Sequence, residues 1–345
     1  MAEPPALQKP PVSPPPPPFT LSSKKGAARS WRHSNTYDAL VVTLNASWLY
    51  GWSFKPLPAS TINSLSVHNT EYVPLAYDRG SLTGANIQHW QSEIAHGRIH
   101  HILGFNEPDL LIAGDPKISV EDALDAWPQL EGLNVPIGSP ATIHPSKSWM
   151  VDFMKGVDER NLRVDFVAVH MYEERSNDPE SFITQVWDAY INFGRRPLWI
   201  TEFAVRRGTL RSNDCSQNPH DPYDIVEWMR YVLPRLNALQ IVHRFAWFDV
   251  HVATMNANNR TARTCTAKLS SDDGTSVTYP VGRYYSQLEQ IPALDAACAR
   301  KNTSTCENKT SDTCEFYAIK TYNDSMACAY NATLGCRPVD SVACA

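Results

Sequence analysis

Two glutamates end short strand-like stretches, and paired carboxyl groups of this kind can cleave a glycosidic bond. Glu107 follows the apolar run at 102–105 with Asn106 between them, and Glu202 ends the segment that begins at Leu198. Carboxyl groups at the C-terminal ends of different parallel strands can converge in one cleft. One carboxyl can then act as acid/base while the other acts as nucleophile. The two segments therefore predict a hydrolytic site on Glu107 and Glu202.

Each glutamate also has a structural alternative. Pro108 keeps Glu107 out of helical geometry and ends strand pairing, which suits a strand tip but also a surface turn. Glu202 shares a pleat face with Leu198 and Ile200, where a carboxylate is costly unless it is solvated or paired. It could instead form a buried ion pair with one of four nearby arginines, Arg195, Arg196, Arg206 and Arg207. Taken together, the two segments favour the catalytic interpretation.

Polar residues beside these strand ends could support the chemistry. Asn106 could donate to a sugar hydroxyl next to the first glutamate. His170 and Tyr172 end another strand-like segment and could hydrogen-bond the nucleophilic carboxylate, which favours its ionised form. Glu173 and Glu174 are rival carboxylates, and they rank lower because they lie past that strand in a charged loop.

Aromatic residues could provide a platform for a sugar ring. The candidates are Trp48, Tyr50, Trp52, Trp247 and Phe248. Flat rings with polar edges suit stacking against sugar C–H faces, although aromatic residues more often belong to the core. Strand alternation places Trp48, Tyr50 and Trp52 on one face. Trp247, at the end of the last strand, would form the floor of the sugar site, whereas Trp199 is expected to pack in the core.

Strand-like and helix-like segments alternate from residue 22 to about 288, which predicts a mainly parallel α/β sheet. Predicted strands are 40–44 or 47–52, 72–77, 101–106, 136–139, 164–170, 198–203 and 242–248. Predicted helices are 119–130, 181–193 and 224–239. Seven or eight such units favour a (β/α)8 TIM-type barrel with its site at the C-terminal strand ends. The alternative is an open doubly wound sheet, but GxGxxG, GxSxG and HExxH motifs are all absent.

Composition narrows the class of protein. The chain has 345 residues and a net charge of −5, and its lysines and arginines are scattered, so nucleic acid is not an expected partner. No apolar run approaches the roughly 20 residues needed to span a bilayer. The sequence shows no zinc-ligand spacing, so neither a metal nor another cofactor is expected. We expect a monomer that binds a carbohydrate.

Cysteines and sequons predict secretion. Six of the eight cysteines lie within residues 298–345, which favours disulfides in an oxidising compartment, although six cysteines allow 15 pairings. Asn-X-Ser/Thr sequons occur at Asn45, Asn259, Asn302, Asn308, Asn323 and Asn331. The N-terminus is rich in proline and has no apolar signal region, so we expect a mature form whose signal has been removed. The predicted organisation is a Pro-rich arm (1–21), a catalytic barrel (22–297) and a Cys-rich extension (298–345).

Several motifs recur in the order found in one family. They are the segments 47–52, 71–75, 103–109, 164–172 and 199–203, with 281–285 as a closing element. On these motifs the chain, from about 22 to 290, resembles glycoside hydrolase family 128, a catalytic-core family of clan A. The resemblance implies a (β/α)8 barrel that acts on β-1,3-glucan with retention of configuration.

The resemblance also implies individual roles. Glu107 would be the general acid/base and Glu202 the nucleophile, with support from Asn106, His170, Tyr172 and Trp247. Clan A places these glutamates on the fourth and seventh strands, whereas the strands predicted above give the third and sixth. We therefore expect a further strand, within residues 26–31. A non-catalytic β-glucan-binding or cell-wall protein, and a glycosidase acting on another β-glycan, remain the alternatives.

Overall fold

A computed structural model describes residues 24–30, 37–205, 220–248, 250, 267–271, 273–320, 324–332 and 335–344. Several features singled out in the sequence lie outside the described residues: the Pro-rich arm at 1–21, Arg206, Arg207, Cys215, Cys265, Asn259 and Asn323.

Strands and helices follow one another along the chain. The strands are β1 (Lys25–Ser30), β2 (Trp48–Trp52), β3 (Glu71–Tyr72), β4 (Leu111–Ile112), β5 (Asp115–Pro116), β6 (Val167–Glu173), β7 (Leu198–Val205), β8 (Val242–Trp247), β9 (Lys301–Asn302), β10 (Tyr317–Lys320), β11 (Asp324–Asn331) and β12 (Gly335–Ala343). The α-helices are α1 (Tyr37–Leu44), α2 (Ala59–Val67), α3 (Gly84–Ala95), α4 (Val120–Ala126), α5 (Pro128–Glu131), α6 (Ser148–Glu159), α7 (Pro179–Asn192), α8 (Pro222–Ala238) and α9 (Val281–Ser286). Short 3₁₀ helices lie at Arg79–Ser81, Leu288–Gln290, Ala296–Ala299 and Cys314–Phe316.

Within the described residues, eight parallel segments close into the predicted (β/α)8 barrel. Six of them form a sheet in the order β3-β2-β1-β8-β7-β6. Segments 102–106 and 137–141 bridge the two ends of that sheet through the parallel pairs Leu75–Leu103, Ile102–Ile137 and Gly138–Phe166. Segment 102–106 therefore occupies the fourth position, and β7 occupies the seventh.

The missing strand is β1, within one residue of the expected segment. Its sequence hides it because Lys25 and Arg29 flank two alanines, yet all four side chains are buried. The alternative strand at 40–44 is wrong, since those residues form α1, whereas 47–52 contains β2. The helix predicted at 119–130 divides into α4 and α5 because Pro128 has no N–H for the continuing hydrogen-bond ladder.

Two apolar cores lie on the two faces of the barrel wall. The inner core contains Ala28, Trp48, Tyr50, Val73, Leu75, Leu103, Ala141, Phe166, Ala168, Trp199 and Ala246. The larger outer core joins the strands to the surrounding helices and includes Leu198, Ile200 and Phe203 of β7. Alternation along each strand produces this division, because successive side chains point to opposite faces.

A buried charged cluster fills part of the barrel near its N-terminal end. Arg244 lies 4.2 Å from the centre of the Trp199 ring and 2.5 Å from a carboxylate oxygen of Glu71. His101 Nδ1 lies 2.8 Å from the other oxygen. Burial opposes ionisation of Glu71, but the His101 hydrogen bond and the Arg244 charge outweigh it and lower the pKa of Glu71 to about 2. The negative charge of Glu71 is therefore balanced by Arg244 within the cluster. The opposite, C-terminal end of the barrel is where the candidate site lies.

The Cys-rich extension is a small sheet docked on the barrel. Its strands run in the order β12-β11-β10-β9. The disulfides are Cys298–Cys344, Cys306–Cys328 and Cys314–Cys336, which answers the pairing question that the sequence left open. Trp187 of α7 donates to the Ala299 carbonyl at 2.8 Å, and Lys320 pairs with Glu180 at 2.8 Å. The boundary at 297/298 stays a prediction. No helix among the described residues has both the length and the apolarity to cross a membrane.

Candidate active site

Glu107 leaves the end of segment 102–106 in an unusual backbone conformation. Its φ angle is +42°, in the left-handed region that non-glycine residues rarely adopt. Its N–H donates to the Ala141 carbonyl at 2.7 Å, and the N–H of Asn106 donates to the Tyr77 carbonyl at 3.1 Å. The side chain of Glu107 is 26% exposed, so its carboxyl can reach a ligand.

Glu202 enters the barrel because β7 carries a bulge. Val169 of β6 pairs with Ile200, but the next residue, His170, pairs with Glu202. Thr201 is therefore an extra residue that shifts the alternation. Regular alternation, as the sequence predicted, would put Glu202 on the same face as Ile200, and in the structure Ile200 faces the outer core. A bulge next to a site re-aims a side chain in this way.

Both carboxylate oxygens of Glu202 accept hydrogen bonds. Trp52 Nε1 donates to Oε1 at 2.7 Å, and the Tyr172 hydroxyl donates to Oε2. The residue is only 4% exposed. Burial raises the pKa of Glu202, while the charge on His170 and the donors Tyr172 and Trp52 lower it and the nearby Glu107 raises it. The net shift is upward, so the hydrogen bonds offset part of the cost of burying this carboxylate.

His170 lies between the two glutamates. Its Nδ1 is 3.4 Å from Glu107 Oε1, and its Nε2 is 3.4 Å from Glu202 Oε1. One ligand atom from each of the three side chains lies within 4.8 Å of the other two. A cation could be held at these distances. However, the donors Trp52 and Tyr172 already occupy both Glu202 oxygens, which suits a reactive carboxylate.

The predicted aromatic residues divide into two groups. Trp52 and Phe248 are partly exposed, and their ring centres lie 5.4 Å apart. The Tyr172 ring packs on Phe248 at 5.7 Å, so Phe248 packs against both of the aromatic residues that donate to Glu202. Trp48, Tyr50 and Trp247 are buried and present no ring face to a ligand. The sequence predicted that these three rings contact a sugar, but the structure shows them packed inside the protein.

The alternation of side chains along β2 and β8 explains why these three rings are buried. Trp48 and Tyr50 do share a face with Trp52, but they lie deeper in the barrel, and only Trp52 reaches the site. Tyr50 instead donates to the carbonyl of Thr201 at 2.9 Å and so holds the bulge that aims Glu202. Trp247 faces outward, with its ring centre 5.1 Å from that of Phe203. Phe248, which directly follows β8, instead packs against Trp52 and Tyr172.

Two of the four arginines suggested as partners for Glu202 have other partners, while Arg206 and Arg207 lie outside the described residues. Arg195 pairs with Asp312 and Arg196 pairs with Asp158, so neither of these described arginines pairs with Glu202. Of the rival carboxylates, Glu173 is the last residue of β6 rather than part of the loop predicted after it. It is buried and accepts from the backbone N–H groups of Glu174 and Arg175, while Glu174 is exposed.

Sequence reasoning missed three parts of this region. Asp109 accepts from the N–H of Ile143 at 2.9 Å, which ties the loop after Glu107 to the neighbouring loop. Lys117 folds back to the Asn106 carbonyl at 2.5 Å, across the hairpin of β4 and β5. A cavity of about 660 Å³ adjoins Tyr172, and its other lining residues are Ile143, His144, Ser146, Lys147, Ser148 and Glu174. No local sequence signal marked these contacts, because each joins residues from separate loops.

Glu107 follows the fourth parallel segment and Glu202 lies in the C-terminal half of the seventh. One oxygen of each lies within 4.8 Å of the other, and this arrangement defines a barrel glycosidase site. The fold and the site therefore indicate a glycoside hydrolase. The chain belongs to the glycosyl hydrolase catalytic core family, which it matches over residues 26–285, and within it to glycoside hydrolase family 128.

Solved structures and a curated protein show the same likeness. A subgroup I endo-β-1,3-glucanase of this family from Amycolatopsis mediterranei, in complex with laminaritriose and laminaribiose, is 28% identical with a TM-score of 0.59, covering 76% of this chain and 98% of that one. A subgroup III exo-β-1,3-glucanase from Blastomyces gilchristii is 25% identical with a TM-score of 0.54, covering 77% and 98%. Alkali-sensitive linkage protein 1 of Schizosaccharomyces pombe is 28% identical over 235 residues, which are 66% of this chain but only 39% of that protein.

Proposed function

We propose that this enzyme hydrolyses internal bonds of β-1,3-glucan with retention of configuration. The observation that carries the mechanism is the short separation of the two carboxyl groups, since one oxygen of each lies within 4.8 Å of the other. Retaining glycosidases place their carboxyls about 5–5.5 Å apart, whereas inverting enzymes need roughly 6.5–9.5 Å to admit a water molecule. The separation here supports the retaining class.

The geometry assigns a step to each group. Glu202 attacks the anomeric carbon while Glu107 donates its proton to the leaving oxygen, giving a glycosyl-enzyme ester on Glu202. Glu107 then takes a proton from water, which attacks the same carbon and releases Glu202 as a carboxylate. Trp52 and Tyr172 donate to Glu202 and favour its charged form before attack and after release. His170 lies between the two carboxyl groups, with one ring nitrogen 3.4 Å from each, and so fixes their relative positions.

Relatives and the cleft support the substrate and the internal cut. The Amycolatopsis enzyme was solved with laminari-oligosaccharides and is endo-acting, whereas the Blastomyces enzyme is exo-acting. In the present chain, Tyr172 both contacts Glu202 and lines a cavity that the loop around residues 143–148 borders, which would give a polysaccharide room beyond the point of cleavage. We infer endo action from this room.

The cysteines and sequons support action outside the cell or in the cell wall. Three disulfides staple the extension, as in proteins of oxidising compartments. The sequon residues Asn45, Asn302 and Asn308 are exposed and so accessible to glycosylation. A monomer, with no partner other than glucan, stays a prediction.

Two amide substitutions test the function. Glu107→Gln should lower kcat on laminarin about 10²–10⁴-fold, because an amide cannot protonate the leaving oxygen. Glu202→Gln should lose at least as much activity while still binding laminarin. The exposed Glu159→Gln is the matched control, since Glu159 lies on α6 with its side chain 64% exposed.

Product analysis separates the alternatives. NMR of the first product should show the β anomer, and long oligosaccharides should appear before glucose. Initial release of the α anomer would overturn retention, and glucose alone would overturn endo action. If wild type and Glu202→Gln bind laminarin equally and neither releases reducing ends, the chain is a glucan-binding protein. Parallel assays on β-1,4- and β-1,6-glucans test the linkage.

A further inference from the structure

Lys117 reaches back from the end of a hairpin to the residue before the proposed acid/base. The hairpin begins directly after Glu107 and contains β4 and β5. Its base is closed by Lys117 N–H donating to the Leu110 carbonyl at 2.8 Å and by Ile118 N–H donating to the Pro108 carbonyl at 3.0 Å. These two bonds bring the side chain of Lys117 back to Asn106, which lies eleven residues earlier in the chain.

The backbone at Glu107 needs such support. Its φ of +42° lies in the left-handed region, and the following proline disfavours that conformation further. A strained residue of this kind persists only where its surroundings hold it. The N–H of Glu107 donates to the Ala141 carbonyl, which anchors one side of the peptide between Asn106 and Glu107. The other polar group of this peptide is the Asn106 carbonyl, and it needs a partner of its own.

Lys117 supplies that contact. Its ammonium donates to the Asn106 carbonyl at 2.5 Å, lies 3.4 Å from the Tyr77 carbonyl, and sits 4.1 Å from the centre of the Tyr77 ring. We propose that Lys117 is a positioning residue for the acid/base: it fixes the peptide between Asn106 and Glu107 and places a positive charge beside the Glu107 carboxyl. This rests on the proposed function.

The charge has a second effect on the reaction. Among the described residues, the titratable and charged groups that interact with Glu107 include His170, Glu202, Asp109 and Lys117. Two of them are carboxyls, so Lys117 is the cationic group on the hairpin side that opposes their repulsion. Burial lowers the pKa of Lys117, and the carboxylates of Asp78, Glu107 and Asp109 raise it. Removing the ammonium should therefore make Glu107 keep its proton to a higher pH.

The test compares Lys117→Met with Lys117→Arg. The methionine variant should lower kcat/KM on laminari-oligosaccharides at least tenfold and move the alkaline limb of its pH profile to higher pH. The loss should be much smaller on a 2,4-dinitrophenyl glycoside, because a good leaving group needs little protonation. Arginine keeps the charge, so Lys117→Arg should leave the limb in place and recover part of the rate.

Lys155→Met is the control, because Lys155 is an exposed lysine on α6 with its side chain 72% exposed. Circular dichroism and thermal unfolding of each variant show whether it is folded. An active wild type with an unmoved alkaline limb in folded Lys117→Met overturns the proposal, as does an equal loss on both substrates. If Lys117→Met does not fold, Lys117→Arg decides alone: its limb must match wild type while its rate falls. An inactive wild type would overturn the proposed function instead.

Discussion

At the scale of single residues, the carboxyl group of Glu202 is buried although the proposed attack needs it ionised. Burial and the neighbouring Glu107 favour its protonated form. His170, Tyr172 and Trp52 favour the ionised form. The fraction of enzyme that is ready to attack therefore depends on hydrogen bonds that can be removed one at a time.

Tyr172→Phe removes one of these bonds and should raise the pKa of Glu202. A hydrogen bond to a charged group contributes about 1.5–3 kcal/mol, and one pKa unit corresponds to about 1.4 kcal/mol. A raised pKa leaves less carboxylate at low pH, so the acidic limb of kcat/KM should move up by about one to two pH units. The measurement is a pH–rate profile.

Tyr190→Phe provides the comparison, because Tyr190 lies on α7 and packs against Phe316 rather than near Glu202. Its profile should match that of wild type. An acidic limb that stays in place in Tyr172→Phe would show that this bond does not set the ionisation of Glu202.

At the scale of elements, the proposed acid/base Glu107 is positioned by the close approach of two backbone segments. A Cβ atom added at Gly104 would lie 2.7 Å from the Gly138 carbonyl oxygen and 2.9 Å from the Pro140 nitrogen. These are backbone atoms of the neighbouring segment, so they cannot rotate away. The fourth and fifth positions of the barrel can therefore pack only with glycine at 104, and Glu107 follows three residues later.

Gly104→Ala should force the two segments apart. Overpacking of this kind costs about 1–3 kcal/mol, and a displaced acid/base should lower kcat about 10- to 100-fold. Gly84→Ala is a matched control because a Cβ there meets nothing within 4 Å, at the first residue of α3. Denaturant unfolding and laminarin assays test both variants, and equal stability of the two would contradict this account.

The sequence predicted the barrel and brought out both glutamates because each follows an apolar run, although Glu202 lies within β7 rather than at its end. It could not predict the bulge at Thr201, since no residue type distinguishes an extra residue from regular alternation. It missed β1 because buried lysine and arginine interrupt any apolar pattern. It also placed Trp247 in the site, whereas the pleat turns that ring outward and leaves Phe248 inside.

At the scale of the whole molecule, the extension packs directly against helices α7 and α8 of the barrel. Arg235 of α8 donates to the Cys298 carbonyl at 3.2 Å, and Phe316 stacks on Trp187 of α7. Glu180 joins Lys320 to the hydroxyl of Tyr231 on α8. The extension therefore bridges α7 and α8, the helices that precede and follow β7 in the chain.

Replacing Cys306 and Cys328 by alanine should destabilise the extension but spare catalysis. Removing a cross-link of this span costs about 3 kcal/mol. Cleavage of the extension by a protease should therefore accelerate, while kcat should change less than about twofold, because the barrel strands hold the proposed catalytic side chains.

Glu307→Gln is the control, since its ion pair with Arg337 is largely exposed and contributes little. Proteolysis as slow as in wild type would show that this disulfide does not stabilise the extension. A collapse of kcat would show that the extension is needed for the site itself.

The Cys298–Cys344 disulfide gives the extension a mechanical property. Tension applied to the chain at residue 344 passes through this bond directly to residue 298, which is held by Arg235 on the barrel. The strands between the two cysteines lie outside that path and need not unravel. An attachment at this end would therefore pull on the barrel wall as if the 46-residue separation were a single covalent link.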